Sequence, residues 1–482
     1  MRSLFVAVTS TLCLLLLVFS APGWGGGSTD GTISLAEVRT ECRETAEWLS
    51  GFNVRLAAPG ALLVELGDGD GDLLRARGLA FKRLCELTGA KRLYCCPLTI
   101  RAPDTFETVW VSKGQNVQVL RPRDGESRLS LECHMGVELP RDACAVSWFP
   151  SEGPRALQGR RVNQASRHVA GEISAANIEN IIDDLTYDAQ AGTLLTRYSF
   201  RDETAEIALP YLRDLLADNL GPSGTVELQE FFLTSGDDPT VGYNIIGTVQ
   251  GGLDGTGYYI LSAHYDAIAS RTEGWDGMVD PAPGADDNAS GVAAILECAR
   301  VLAGVELDVG LKFILFSGEE QGIRGSTYFV NEMVDPSPDG PLLGVVNLDM
   351  IAYNPYGDTL EIVTDPLSSW IADFLVESYG DLSSEIGDFG VYSVEKLRYP
   401  YSDDGAFQIK GYPAVTGIEK RDVELMNPYY HTVGDNNVDG KLNIEQAAKT
   451  AKLVAGAMAA LASSAGPVDL EVLPSDIVFA AP

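Results

Sequence analysis

Two histidines and several paired carboxylates fall where apolar runs of this chain end. His264 and Asp266 follow the apolar run 258–263 directly, in Ser-Ala-His-Tyr-Asp-Ala. Glu319 and Glu320 come just after the run 311–316, in Phe-Ser-Gly-Glu-Glu-Gln-Gly, and Asp349 closes the run 345–348. Asp286 and Asp287 lie in the turn Gly-Ala-Asp-Asp-Asn-Ala-Ser-Gly, and His431 lies in Tyr-His-Thr-Val-Gly-Asp. Adjacent carboxylates repel and cost stability unless a cation pairs with them. Two imidazoles and several carboxylates in such loops answer to a divalent metal of the zinc type.

Taken singly, each of these residues has an ordinary explanation. A histidine at a strand end is usually structural, Asp287 would serve as a turn former or helix cap, and Glu319 and Glu320 would be a solvated pair. Asp349 resists such a reading, because a carboxylate after Val-Val-Asn-Leu is expected to be partly buried and to need a partner. Scarcity sharpens the case. The chain has four histidines, and two fall in this set. His134 and His168 have no comparable acidic neighbours.

The elements that must position these groups are short and apolar. Runs at 243–249, 258–263, 311–316, 344–348, 360–364 and 413–418 read as strands, with helical stretches at 290–302, 326–333, 368–379 and 444–461. Their alternation over residues 172–465 predicts an α/β fold: a three-layer sandwich with a mostly parallel, mixed central sheet. In such folds ligands gather beyond the carboxyl ends of the strands, where the acidic and imidazole groups fall.

The rest of the chain bounds the setting. At 482 residues it suits two or three domains. A formal net charge of -33 argues against nucleic-acid or anionic membrane partners. Arg2, the apolar run 4–19 and Ser20-Ala21 resemble a signal peptide over residues 1–20. That predicts a secreted or periplasmic protein without stable membrane association once the signal is cleaved. Residues 34–150 form a smaller cysteine-rich accessory or pro-region domain that precedes the sandwich. It mixes helical patches such as 36–49 with strand-like runs such as 108–120. Cys42, Cys85, Cys95, Cys96, Cys133 and Cys144 crowd into it, and an even set in an exported region reads as a disulfide framework whose pairing sequence does not give. Residues 150–170 read as a polar boundary, Cys298 as a buried free thiol, and 466–482 as a C-terminal linker or tail. Nothing in the sequence sets an oligomeric state.

The motifs His-x-Asp, Gly-Ala-Asp-Asp-Asn-Ala-Ser-Gly, Glu-Glu-x-Gly-x-x-Gly-Ser, Leu-Asp-Met and His-Thr follow one another between residues 240 and 460. In this order they resemble the M28 metallopeptidases, the family of the bacterial di-zinc aminopeptidases. The resemblance implies two zinc ions, one on His264 and Asp349 and one on Glu320 and His431, with Asp287 bridging and a cis peptide bond after it. It implies Glu319 as general base, Asp266 as the carboxylate orienting His264, and Tyr399 as a donor to the developing oxyanion, a place that Tyr401 could fill instead. Peptides would be the substrates, cut from the amino end. Many relatives have Ser-Asp-His where this chain has Ser402-Asp403-Asp404, which bears on the pocket edge and substrate preference. A carboxypeptidase of the same fold would need a cationic cluster, which Arg398, Lys420 and Arg421 could supply. A single-zinc cyclase form and a non-catalytic binding module would share the same fold. The di-zinc form of the motifs disfavours the cyclase, and the full set of ligands and base disfavours the module.

Overall fold

The computed structural model describes residues 161–463, apart from 234–239, 254–256, 334–338, 396–401 and 421–425, and the backbone of eight strands between residues 33 and 138. The strands Ile33–Arg39, Asn53–Ala58, Ala61–Leu66 and Phe81–Leu87 pair into one antiparallel sheet. Tyr94–Pro97, Phe106–Ser112, Val117–Pro122 and Val137–Glu138 pair into a second. The helical patch expected from residue 36 is corrected here: residues 36–39 are strand. Backbone pairing on both sides outweighs the local helical pattern. Strand-like 108–120 is borne out at residues 108–112 and 117–120. The cysteine framework, the signal segment and the C-terminal tail lie outside the described residues.

The centre of the molecule is an eight-stranded sheet. Its strands are β1 (Gly224–Phe232), β2 (Val241–Val249), β3 (Tyr258–His264), β4 (Gly310–Phe316), β5 (Leu342–Leu348), β6 (Thr359–Thr364), β7 (Gly390–Glu395) and β8 (Ala414–Ile418). They lie in the order β1-β2-β4-β3-β5-β8-β6-β7. Strands β4, β3, β5 and β8 are mutually parallel and form the middle. The pair β1–β2 runs antiparallel at one edge, and at the other β6 is antiparallel to β8 but parallel to β7. The expected mixed, mostly parallel sheet therefore holds by four pairings to three.

Burial explains why the middle strands were readable. Every residue of β3 is buried, as befits a strand covered on both faces. Its side chains alternate: Tyr259, Leu261 and Ala263 join one core, Tyr258 and Ile260 the other. Over the first face pack the helices α1 (Gln164–Gly171), α2 (Ala175–Thr186), α3 (Leu209–Leu220), α4 (Gly291–Leu302), α6 (Ser369–Ile386) and α8 (Ile444–Ala462). Over the second pack α5 (Arg324–Glu332) and α7 (Asp404–Ile409), through Phe329, Val330, Ala406 and Phe407. The result is three layers. Each fully buried Leu, Ile or Phe in these cores contributes roughly 1.5–3 kcal/mol.

Two strands escaped the sequence reading, and both are edges. Strand β1 alternates between exposed and half-buried positions along most of its length, so it lacks a continuous apolar run, and β7 buries none of its residues. The core also reaches back to Val169 and Ala170 on α1, ahead of the expected start at residue 172. Asn163 begins that helix by accepting the Ser166 N–H at 3.0 Å.

Candidate metal centre

Because β3, β4, β5 and β8 run parallel, their carboxyl ends share one rim, and the acidic loops meet there. His264 is the last residue of β3, the Glu319–Glu320 turn follows β4, and Asp349 follows β5. Asp287 enters from the loop before α4, and His431 from the loop before α8. The peptide bond between Asp287 and Asn288 is cis, as the resemblance implied.

The five side chains converge. His264 Nε2 lies 3.3 Å from Asp287 Oδ1 and 3.3 Å from Asp349 Oδ1. His431 Nε2 lies 3.1 Å from Asp287 Oδ2 and 3.0 Å from Glu320 Oε2. Two three-residue groups able to hold a metal ion result: His264, Asp287 and Asp349, and Asp287, Glu320 and His431. The two oxygens of Asp287 are divided between them. All five residues are buried, and Glu320 Oε1 has no hydrogen-bond partner among the described residues. A buried carboxylate oxygen left without a donor, inside a mixed imidazole and carboxylate shell, is what a divalent metal of the zinc type would satisfy.

The surrounding backbone fixes these groups by hydrogen bonds that cross the rim. The Asp266 carboxylate accepts the Glu319 N–H and the Glu320 N–H, both at 3.1 Å, and so holds the Glu-Glu turn. His264 Nδ1 lies 3.1 Å from the Asp266 carbonyl oxygen but 3.7 Å from its carboxylate. The expected orienting role is thus redistributed: the carbonyl faces the imidazole, while the carboxylate serves the turn. Donation from Nδ1 to that carbonyl leaves Nε2 directed at the acids. Asp435 accepts the Asp286 and Asp287 N–H groups at 3.0 Å each, one on either oxygen. Asn288 donates to the Leu348 carbonyl at 2.9 Å and accepts from Gly291 and Met350, at 3.0 and 3.3 Å. At Gly291 a Cβ would come within 2.3 Å of Asn288 Oδ1 and 2.5 Å of the Leu348 carbonyl, so only glycine fits.

Charge in this region is strongly redistributed. Burial pushes Glu320 up to about 7, with His431 acting against the rise. Burial also raises Glu319 well above the ordinary carboxyl value; His264 opposes this while Glu320 and Asp349 add to it. Burial would raise Asp287 too, but its hydrogen bonds with His264 and His431 hold it below the usual range. For His431 burial works downward, and the Glu320 and Asp287 carboxylates overcome it to bring the imidazole up to about 9. The cluster is a site built for positive charge.

Glu319 itself is half-buried, beside the ligand-type carboxylates. Tyr399 and Tyr401 lie outside the described residues. Asp404 is buried, begins α7 and accepts from Gln408 Nε2 at 3.0 Å. Burial holds its carboxyl well above the usual range. The departure from Ser-Asp-His therefore falls in a buried polar layer. Asp435 and Asn288 were not singled out from sequence. Both stand inside quoted motifs, and an acid in Thr-Val-Gly-Asp, four residues past His431, was the signal that could have found the first.

Residues 244–458 match Peptidase family M28. The match covers a little under half of the chain. Curated relatives are similar over a comparable length of chain. A probable zinc metalloprotease of Pyrenophora teres f. teres is 29% identical over 232 residues, 46% of this chain and 46% of its own length. A probable leucine aminopeptidase of Arthroderma otae is 30% identical over 233 residues, 46% of this chain and 57% of its own. The chain thus spans about half the length of the curated relatives it matches. Among solved structures, the LapA aminopeptidase of Legionella pneumophila superposes with a TM-score of 0.54 at 20% identity, covering 77% of this chain and 98% of that one. The aminopeptidase of Aneurinibacillus sp. strain AM-1 gives 0.50 at 18% identity over 64% and 98%. At those identities the likeness is one of fold, and it covers more of the chain than the M28 match does.

Proposed function

We propose that this chain is a secreted zinc-dependent aminopeptidase, hydrolysing N-terminal residues of peptides at a two-zinc centre in its M28 domain. The observation that carries the reading is the Asp287 carboxylate, one oxygen toward His264 and the other toward His431. In this reading His264 and Asp349 hold one zinc, Glu320 and His431 the other, and Asp287 bridges. Relatives named as zinc metalloprotease and leucine aminopeptidase support the metal and the reaction class.

Zinc bound at such a site supplies a Lewis acid for the scissile carbonyl and lowers the pKa of water. Glu319 would accept the proton from that water on its carboxylate and pass it to the leaving amine. Burial raises its pKa, the direction that suits a group that must both take and give a proton. The Asp266 carboxylate keeps Glu319 in place through the Glu319 N–H, and keeps Glu320 beside it. A substrate α-ammonium is electrostatically welcome against this acidic rim.

One observation weighs against a carboxypeptidase. Lys420, one of the cations it would require, pairs with Glu361 Oε1 at 3.0 Å and donates to Tyr392 Oη at 2.7 Å. Export rests on Arg2 and the apolar run after it. Among the described residues no helix is long and apolar enough to cross a membrane.

Hydrolysis of aminoacyl anilides and of N-blocked peptides, with chelator and with zinc restored, tests the reading. Cleavage of free-amine substrates only, lost to chelator and recovered with zinc, is expected. Activity confined to blocked peptides would overturn the aminopeptidase assignment, and chelator-resistant activity would overturn the metal.

A further inference from the structure

Arg197 is among the largest fully buried side chains of the molecule, at 1% exposure, and lies in neither the M28 match nor any motif. Its hydrogen bonds go to neutral backbone carbonyls. Nε donates to Tyr265 at 2.7 Å, Nη1 to Leu185 at 3.2 Å and to Pro283, and Nη2 to Gly284 at 2.8 Å. The backbone around it fastens the same two segments: Arg197 N–H donates to the Ala282 carbonyl at 3.2 Å, and Ala267 N–H donates to the Arg197 carbonyl at 3.1 Å.

A buried guanidinium on neutral acceptors is an expensive way to tie loops together. Burial draws its pKa down to about 10, and the carboxylates of Asp435, Asp266, Asp287 and Glu320 act against that fall. The charge is therefore set behind an acidic centre without touching any of its acids. Two of the three segments it holds carry groups of that centre, the third being the Leu185 turn of α2. Tyr265 lies between His264 and Asp266, and Gly284 is three residues before Asp287. Gly284 adopts φ 53°, and a Cβ there would lie 2.1 Å from the Asp287 carbonyl oxygen and 3.1 Å from Arg197 Nη2. The contact between loop and fork has no slack.

We propose that Arg197 is a positioning residue for the metal centre: its planar fork sets the separation between the His264–Asp266 and Pro283–Asp287 segments, so that one carboxylate reaches both histidines. The proposal rests on the two-zinc reading above. Lysine cannot substitute, because a compact ammonium lacks the fixed fork that spans carbonyls of different segments.

The test is zinc affinity, measured by titrating zinc into the metal-free protein against a chromophoric chelator, alongside thermal melts of the metal-free forms. The variants are Arg197→Lys and Leu212→Ala; Leu212 is fully buried on α3, in the helical layer. Arg197→Lys is expected to lose about tenfold or more in zinc affinity, the usual scale for groups that support ligands. Leu212→Ala is expected to melt earlier yet bind zinc like the wild type. Wild-type affinity in Arg197→Lys, or an equal loss in Leu212→Ala, overturns the positioning role. If Arg197→Lys does not fold, Arg197→Gln is read by the same criterion. Failure of both to fold even with saturating zinc assigns Arg197 a purely structural role and overturns the proposal. A wild type that binds no zinc overturns the metal reading instead, which is a separate result.

Discussion

Glu319 and Glu320 are neighbours in sequence to which the proposed mechanism gives different duties. The structure separates them: Glu320 turns its Oε2 to His431, while Glu319 carries no such contact and stays half-buried. Glu319→Gln removes the proposed proton acceptor and leaves the ligand-type groups intact. It is expected to retain zinc and lose roughly a hundred- to ten-thousand-fold in kcat. Steady-state kinetics with metal analysis of the same sample checks this; near-wild-type turnover would exclude Glu319 as the base. At this scale the sequence was informative because histidine is rare here and the acids stand in short contiguous motifs. What it hid were the groups acting through backbone. Arg197 reaches carbonyls as far as 87 residues away in sequence, and the Asp435 carboxylate holds amides 148 residues back. Backbone acceptors leave no mark on residue type, so no spacing announces such partners.

Elements follow the same logic. Strands β3, β4, β5 and β8 were legible as apolar runs because both faces are covered, whereas β1 and β7 border the sheet and carry mixed side chains. The junction of the Asp287 loop with α4 depends on one residue without a side chain. Gly291→Ala places a methyl against Asn288 Oδ1 and the Leu348 carbonyl, neither of which can retreat without shifting Asp287 or Asp349. Overpacking of this kind costs about 1–3 kcal/mol. Urea unfolding should show a lowered midpoint at unchanged slope, together with weaker zinc binding. A midpoint equal to that of wild type would mean that the junction yields more easily than its contacts imply.

Over the whole molecule, the metal-free protein should respond to pH through its buried acids and imidazoles together. Burial raises Glu320 from 4.5 to about 7, Asp403 from 3.8 to about 7 and Asp286 from 3.8 to about 6. His431, against the pull of burial, rises from 6.5 to about 9 beside Glu320 and Asp287. A folded-state pKa above the unfolded one contributes stability that is complete below the unfolded value and lost as pH climbs through the folded value. All four groups therefore weaken the metal-free fold between about pH 4 and pH 9. Melting temperatures should fall from pH 5 to pH 9, and zinc, which needs deprotonated ligands, should restore most at the alkaline end. A metal-free form more stable at pH 9 than at pH 5 would contradict this. Composition counts the acids, but which of them are buried is set by the rim.

The clasp of Asp435 on the Asp286 and Asp287 amides also bears on timing. Of the segments that meet at the rim, the one bearing His431 and Asp435 leaves the ribosome last. Until it arrives, the Asp287 amides lack their acceptor and the second histidine is missing. On the proposed reading, a peptidase assembled in this order carries no competent site during most of its own synthesis.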